Sequence, residues 1–403
     1  MRFHSYLNNA VKIINRYKGE EPCLSGGQTF ASFVKKYFSE NKKHGSNDRR
    51  QISHLCYSYF RLGRAVADIA VEERILIGLF LCSTGPNEIL GQLRPEWNEK
   101  IDLPADKKLL ITNHSLLVKD VFPWKEKVSP GINHEKFCES FFVQPDLFLR
   151  LRPGYESIAK DKLLKAGIDF KEINSSCLSL PNSSKIENVI ELDKEAVVQD
   201  YNSQKTGDYI KYAILNFKSA ITAWDCCAAS GGKSLLLHDL NAEIDLTVSD
   251  RRQSILLNLK KRFARAGIEK YTSFVADLTS AQLPTTRKYD LIICDAPCTG
   301  SGTWSRTPEQ LYCFSEKKIE DYAELQKEIV SKIIPYLKQD GFLVYITCSV
   351  FKRENEEMVQ FIRNKFQLEL TQIPGRMVQS DGELLEGYDK KADTMFAALF
   401  RKS

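Results

Sequence analysis

The chain has 403 residues, 43% hydrophobic and 27% charged, a balance that excludes a disordered or fibrous chain and suits two or three globular domains. Its net charge of +5 comes from 57 basic and 52 acidic residues, too small an excess to name a partner by itself. The distribution says more: residues 1–134 hold 20 Lys/Arg against 14 Asp/Glu, and the remainder 37 against 38, so the excess sits in the N-terminal third, where it hints at phosphate contact. No run approaches the ~20 apolar residues of a membrane span, the longest being the buried-helix candidate at 75–82. The first residues lack the pattern of a secretion signal, so a cytoplasmic protein with no membrane partner is expected. The eleven cysteines are scattered, without a Cys-x-x-Cys pair. They read as free thiols rather than a disulfide framework. Cys294 and Cys298 come closest to metal-ligand spacing, but no His pair follows them, and no metal is expected.

Residues 1–134 read as an all-helical domain. Ile52, Leu55, Cys56, Tyr59 and Phe60 recur at helical spacing, with Ser46 or Asn47 as the cap and Asp48 in the first turn. Lys42, Lys43, Arg49 and Arg50 flank that start, placed to hold phosphates or simply to be solvated. A looser stretch with Pro104, Pro123 and Pro130 follows. Residues 135–205 read as a small α/β module, with strands at 147–152, 176–180 and 189–192 and a helix at 157–166. From 206 to 403 the rhythm becomes strand, helix, strand. Apolar strands are predicted at 220–226, 244–249, 272–276, 290–294 and 342–347. Ile319, Tyr322, Leu325, Ile329, Ile333 and Leu337 form one helical face between the last two. Buried strands alternating with helices give a mostly parallel, doubly wound α/β sheet. Strands at 367–372 and 395–400, joined by a Gly-bearing loop, close it as an antiparallel hairpin.

Chemistry-bearing residues fall at the carboxyl ends of these strands, where open α/β sheets bind ligands. The first strand runs into Asp225-Cys-Cys-Ala-Ala-Ser-Gly-Gly-Lys-Ser234, whose small residues let backbone turn tightly against a ligand. A phosphate-binding loop would need Gly at 227, which is Cys. A dinucleotide fold would need Gly-x-Gly-x-x-Gly, which is absent. The second strand ends in Asp250, suited to ribose hydroxyls, and the third in Asp277, suited to an adenine amino group. A nucleoside-containing cofactor is the reading that uses all three ends. The fourth and fifth strands deliver Asp295-Ala-Pro-Cys-Thr-Gly-Ser-Gly302 and Thr347-Cys-Ser349, the latter followed by Glu354-Asn-Glu356.

These segments resemble the RNA cytosine-5 methyltransferases of the RsmB/Nop (Sun/Fmu) family. The resemblance rests on Cys-Ala-Ala-Ser-Gly-Gly-Lys at 227–233, the Asp-Ala-Pro-Cys and Thr-Cys-Ser motifs, Val198-Gln-Asp200 with Ser203-Gln204, and Asp393-Thr-Met-Phe-Ala-Ala-Leu399. It covers most of 196–403. Ser230 departs from the family's usual Pro, which should loosen that loop slightly. The resemblance implies a Rossmann-like class I methyltransferase fold with S-adenosylmethionine as cofactor. Cys227, Ala228, Ala229, Ser230, Gly231, Gly232, Lys233, Asp250, Asp277 and Asp295 would line it. It implies Cys348 as the nucleophile on carbon 6 of cytosine, Cys298 as the residue that aids product release, and Asp295 as a base contact. Cys226, Cys294 and Cys313 are left as structural, and Glu354-Asn-Glu356 as the cap that holds the Cys348 loop. Asn47-Asp-Arg-Arg-Gln-Ile52 and Tyr59-Phe-Arg-Leu-Gly63 are similar to the NusB-like domain that precedes some members. That likeness implies ribosomal RNA as partner, with a single-stranded or looped target. An RNA-binding assembly factor with a vestigial site, a tRNA-directed enzyme, and a methyltransferase for protein or small molecules are the alternatives. The two cysteine motifs weigh against the first and the last.

Overall fold

A computed structural model describes residues 2–19, 29–112, 117–280, 283–374 and 381–403. The chain divides into two compact units. One comprises 1–126, 132–144 and 303–316; the other comprises 127–131, 145–302 and 317–403.

The first unit is helical. Arg2–Gly19, Phe30–Glu40, Ser46–Arg61 and Val71–Cys82 are its main helices. Tyr17, Phe30 and Phe60 meet edge to face at their core, with Phe30 and Phe60 centroids 4.8 Å apart, the geometry that ring quadrupoles favour. Ile52, Leu55, Cys56, Tyr59 and Phe60 are buried, as the spacing predicts. The cap differs: Gly45 is the cap residue and Ser46 the first helical one, and Asp48 accepts the Gly45 N–H at 3.2 Å. Part of the positive charge is internal. Arg61 donates to the Phe141 carbonyl at 2.6 Å, Arg74 to the Gly63 carbonyl at 2.6 Å and Lys108 to the Ser83 carbonyl at 2.6 Å. All three side chains are buried, so these cations satisfy orphan carbonyls. Lys42, Lys43 and Arg50 are exposed. Residues 303–316, far along the chain, add the helix Pro308–Cys313 to this unit.

The second unit holds two sheets. In the smaller, β1 (Leu147–Leu151), β2 (Lys171–Asn174), β3 (Cys177–Leu180) and β4 (Ala196–Val198) lie in the order β2-β3-β1-β4, with every neighbouring pair antiparallel. The helix Glu156–Lys165 packs its Ala159 and Leu163 into the core beneath. The strand predicted at 189–192 is not formed; that stretch turns, with the Ile190 N–H donating to the Ile186 carbonyl at 2.9 Å, and the strand follows it at β4.

The larger sheet carries the strand ends. Its strands are β5 (Thr222–Asp225), β6 (Asp245–Asp250), β7 (Thr272–Val275), β8 (Tyr289–Asp295), β9 (Leu337–Thr347), β10 (Glu369–Leu370), β11 (Glu383–Leu385) and β12 (Met395–Arg401). The order is β10-β12-β9-β8-β5-β6-β7, with β11 beside β12. β7, β6, β5, β8 and β9 are mutually parallel, and β12 closes the sheet antiparallel to β9. The fold is therefore the Rossmann-like α/β sheet expected. The closing pair β10 and β12 is antiparallel, as predicted, and β11 is an addition to it. Part of the intervening Gly-bearing loop, 375–380, lies outside the described residues. Leu337 begins β9 rather than ending a helix, because Pro335 stops the preceding helix at Ile333. The buried face of that helix is Ile319, Ala323, Gln326, Ile329, Val330 and Ile333.

Buried charge joins the two sheets. Arg150 and Arg152, at the end of β1, both pair with Asp239, and Arg152 Nη2 reaches it at 2.7 Å. All three side chains are under a tenth exposed. The second aspartate of this seam, Asp193, takes Arg262 at 2.8 Å and Arg265 at 2.5 Å. Removing one partner of a buried pair leaves its counterion uncompensated, at a cost of about 3–5 kcal/mol. Asp239→Ala, which strands two arginines, is expected to destabilise the protein by that amount, read from the urea midpoint at unchanged slope.

Candidate active site

The loop after β5 is shaped by hydrogen bonds to β6. The Ala228 N–H donates to the Ser249 carbonyl at 2.9 Å and the Ala229 N–H to Asp250 Oδ2 at 3.1 Å. Gly231 caps the helix Gly232–Leu240 at φ +88°, and a Cβ there would sit 2.9 Å from Phe263 and 3.1 Å from Leu259. Both the left-handed backbone and the tight packing require glycine. Gly232 is the opposite case: a Cβ would meet nothing within 4 Å, so the helix N-terminus opens onto free space. Arg262 donates to the Ser230 carbonyl at 3.0 Å and to its hydroxyl at 3.2 Å, tying the loop to the helix Gln253–Ala266.

This loop borders a cleft of about 390 Å³. Cys227 of the loop, Asp250 and Asp277 line it together, with Tyr322, Leu325 and Ile329 supplying an apolar wall. Asp250 Oδ1 accepts the Arg252 N–H at 2.9 Å. Asp277 accepts the Thr279 hydroxyl at 2.7 Å and N–H at 3.0 Å, bonds that hold its carboxyl below the ordinary range. Each presents carboxylate oxygens to the cleft. Asp225, at the end of β5, is fully buried; burial pushes its pKa up to about 7 although the Ser234 hydroxyl donates to it. Its Oδ1 has no hydrogen-bond partner among the described residues.

A nucleoside-bearing methyl donor fits this set. The open helix N-terminus, two carboxylates positioned as hydroxyl or amino acceptors, an orphaned acceptor beneath the loop and an apolar wall are what such a molecule needs. Lys233 points the other way. Its Nζ lies 2.8 Å from Ser203 Oγ and 3.1 Å from Asp295 Oδ2, bridging the cofactor loop to the end of β8. Ser203 belongs to the segment that follows β4, where Gln199 and Asp200 are also engaged. Gln199 accepts Arg150 Nε at 2.7 Å, and Asp200 accepts the Asp393 N–H at 3.0 Å.

The two motif cysteines meet. Cys298 Sγ and Cys348 Sγ are 3.3 Å apart, both half-buried. The contact with Cys348, followed by burial, pushes the Cys298 thiol well above the ordinary range, so Cys298 keeps its proton. What holds them together is Glu354, which is fully buried. Its carboxylate accepts the Thr299 N–H at 2.9 Å, the Thr299 hydroxyl at 2.6 Å, the Ser349 hydroxyl at 2.5 Å and Gln326 Nε2 at 3.0 Å. Thr299 follows Cys298 and Ser349 follows Cys348, so one carboxylate ties both loops. Asn355 adds bonds from its amide to the Ser349 carbonyl and Ser129 hydroxyl, both at 2.9 Å, and accepts Thr347 Oγ1 at 2.6 Å. The Glu-Asn pair therefore braces the thiols as the sequence suggests. Gln326 and Ser203 join the site without being predicted for it; Gln326 is signalled by breaking an otherwise apolar helical face, and Ser203 only by its place in the Val198–Gln204 motif.

The sequence also hid a cluster. Cys294 does not pair with Cys298; it joins Cys226 and Cys227 in a group whose sulfurs lie within 4.8 Å of one another.

Gly231→Ala is expected to cost about 1–2 kcal/mol from its left-handed backbone alone, plus the strain of displacing Phe263, measured by urea unfolding. Glu354→Ala leaves buried donors unsatisfied at about 1–3 kcal/mol. Freed loops should also slow Cys298–Cys348 disulfide formation under mild oxidant relative to wild type, followed by thiol counting.

Residues 212–401 match the family described as 16S rRNA methyltransferase RsmB/F. A Coxiella burnetii protein named probable ribosomal RNA small subunit methyltransferase B is 26% identical over 265 residues, which are 63% of this chain and 61% of that one. The Citrobacter koseri ribosomal RNA small subunit methyltransferase B is 30% identical over 179 residues, 44% of this chain and 42% of its own. The chain thus spans about half the length of these curated relatives. Among solved structures, PH0851 aligns over 98% of both chains with a TM-score of 0.69 at 18% identity. A methyltransferase homolog protein from Pyrococcus horikoshii aligns over 68% of this chain and 92% of its own, with a TM-score of 0.56 at 22% identity. The fold is shared with both, and residues 212–401 match the methyltransferase family described as RsmB/F.

Proposed function

We propose that the protein methylates carbon 5 of a cytosine in RNA, with S-adenosylmethionine as donor and Cys348 as nucleophile. The observation that carries this reading is the pair of thiols 3.3 Å apart, at the ends of adjacent parallel strands beside the nucleoside cleft. Carbon 5 of cytosine is a poor nucleophile until a thiolate adds to carbon 6, which turns the ring enamine-like; the covalent step divides one hard reaction into easier ones. The bound cofactor supplies an electrophilic sulfonium methyl group. Cys348 forms the sulfur–carbon 6 bond. Asp295, held by Lys233, contacts the base and stabilises the adduct. Once the methyl group is on carbon 5, the proton there must leave before the Cys348–carbon 6 bond can break. Cys298, in contact with Cys348, assists that release.

A base can reach the thiols only when unstacked, so a single-stranded or looped target is the natural substrate. The names of the relatives favour ribosomal RNA. The helical unit, with its exposed Lys42, Lys43 and Arg50 and its NusB-like sequence, is the proposed RNA-binding domain.

Cys348→Ala is expected to abolish transfer of labelled methyl groups to RNA, and unchanged transfer would sink the assignment. Cys298→Ala should accumulate a protein–RNA adduct that survives a denaturing gel. Bisulfite sequencing of RNA from cells lacking the protein should then show the lost methylcytosine.

A further inference from the structure

Three cysteines to which the proposed methyl transfer assigns no bond-making step converge where the cofactor loop leaves β5. Parallel pairing of Asp225 with Ile293 sets the ends of β5 and β8 side by side, and the Cys226 N–H donates to the Ile293 carbonyl at 3.0 Å. Cys226, Cys227 and Cys294 follow directly from that register. Their sulfurs lie within 4.8 Å of one another, and they form the single group of three metal-ligand side chains among the described residues. Cys226 and Cys294 are buried, Cys227 is half-buried, and Cys226 and Cys227 both line the cleft.

The spacing suits a cation. With metal–sulfur bonds of about 2.3 Å, three sulfurs around one ion stand roughly 4 Å apart, so small side-chain rotations close the set. An all-sulfur donor group selects soft ions over magnesium or calcium. We propose that Cys226, Cys227 and Cys294 form a three-thiolate site for a soft d10 cation of the zinc and cadmium class, and that its occupancy obstructs the cofactor cleft. Binding breaks three S–H bonds, the protons pass to water, and each sulfur donates its electron pair to the ion without change of oxidation state. Cys227 is shared by the cation site and the cleft, so the same side chain cannot serve both in one position. The obstruction rests on the cofactor reading above; the cation site itself does not.

The test is titration of the reduced full chain with Cd²⁺ alone, following the ultraviolet thiolate-to-cadmium charge-transfer band and bound cadmium by elemental analysis. One equivalent with a thiolate band is expected. The band should be lost in Cys226→Ser and Cys294→Ser and kept in a Cys298→Ser/Cys348→Ser double variant. Cys294→Val, of similar bulk, checked by circular dichroism, serves if the serine variants fail to fold. No band in the full chain overturns the site. So does a band kept without Cys226 and Cys294 but lost without Cys298 and Cys348. In the double variant, a filled site should weaken S-adenosylmethionine binding at least tenfold, and unchanged binding overturns the obstruction. Cadmium-free protein that binds no cofactor sinks the methyl-donor reading and the obstruction together, while the band still decides the cation site.

Discussion

Parallel pairing of β6, β5, β8 and β9 is the constraint from which the site follows. In a parallel ladder every strand delivers its carboxyl end to the same edge. Asp225, Asp250, Asp295 and Thr347 all end their strands, so the loops beyond them have no choice but to crowd one rim. The order reverses direction between β5 and β8, and there the crossover helices diverge and leave room for a ligand. The cofactor loop, the Asp-Ala-Pro-Cys loop and the Thr-Cys-Ser loop are neighbours because of register, before any side chain is considered.

Crowding loops at one rim leaves their positions underdetermined, and buried polar groups supply the missing precision. Glu354 is the central case. A fully buried carboxylate is costly unless its lone pairs are filled, and four donors fill them. Because those donors come from both thiol loops and from the helix Lys317–Ile333, the cost of burying the charge is offset only when all three segments are in place. Lys233 acts likewise between the cofactor loop and Asp295, and Asp239 and Asp193 between the two sheets. Each is a bond between segments distant in sequence, and each penalises a small displacement steeply because the local dielectric is low.

The legible part of this protein was what periodicity and strand-end motifs encode. The five parallel strands, the cofactor loop and both thiols could be placed because apolar runs of strand length alternate with amphipathic helices and because the motifs sit where the runs stop. What depends on packing across the chain was not legible. Nothing local marks Ser203 as the partner of Lys233, or Arg262 as the donor to Ser230. The 189–192 stretch reads as apolar enough for a strand, yet its chain turns back on itself. The positive excess of the first 134 residues hints at phosphate contact, but Arg61, Arg74 and Lys108 are engaged by carbonyls that only the folded helices bring to them. Cys294 illustrates the limit most directly. Its sequence neighbour Cys298 is four residues away, but the strand ends at Asp295, so the two thiols leave the sheet toward different companions.

That divergence divides the sulfur chemistry of the rim. Cys298 and Cys348 are in contact, and that contact, with burial behind it, pushes the Cys298 thiol well above its ordinary range. In the proposed reaction the adduct needs a group nearby that can exchange a proton without carrying permanent charge into the site. A thiol pushed above its ordinary range does so, whereas a carboxylate at that point would repel the electron-rich adduct. Glu354 is close enough to brace the loops, yet its oxygens are engaged by Thr299, Ser349 and Gln326. The carboxylate in this corner is thereby committed to position, and the proton transfer of the proposed reaction is left to sulfur.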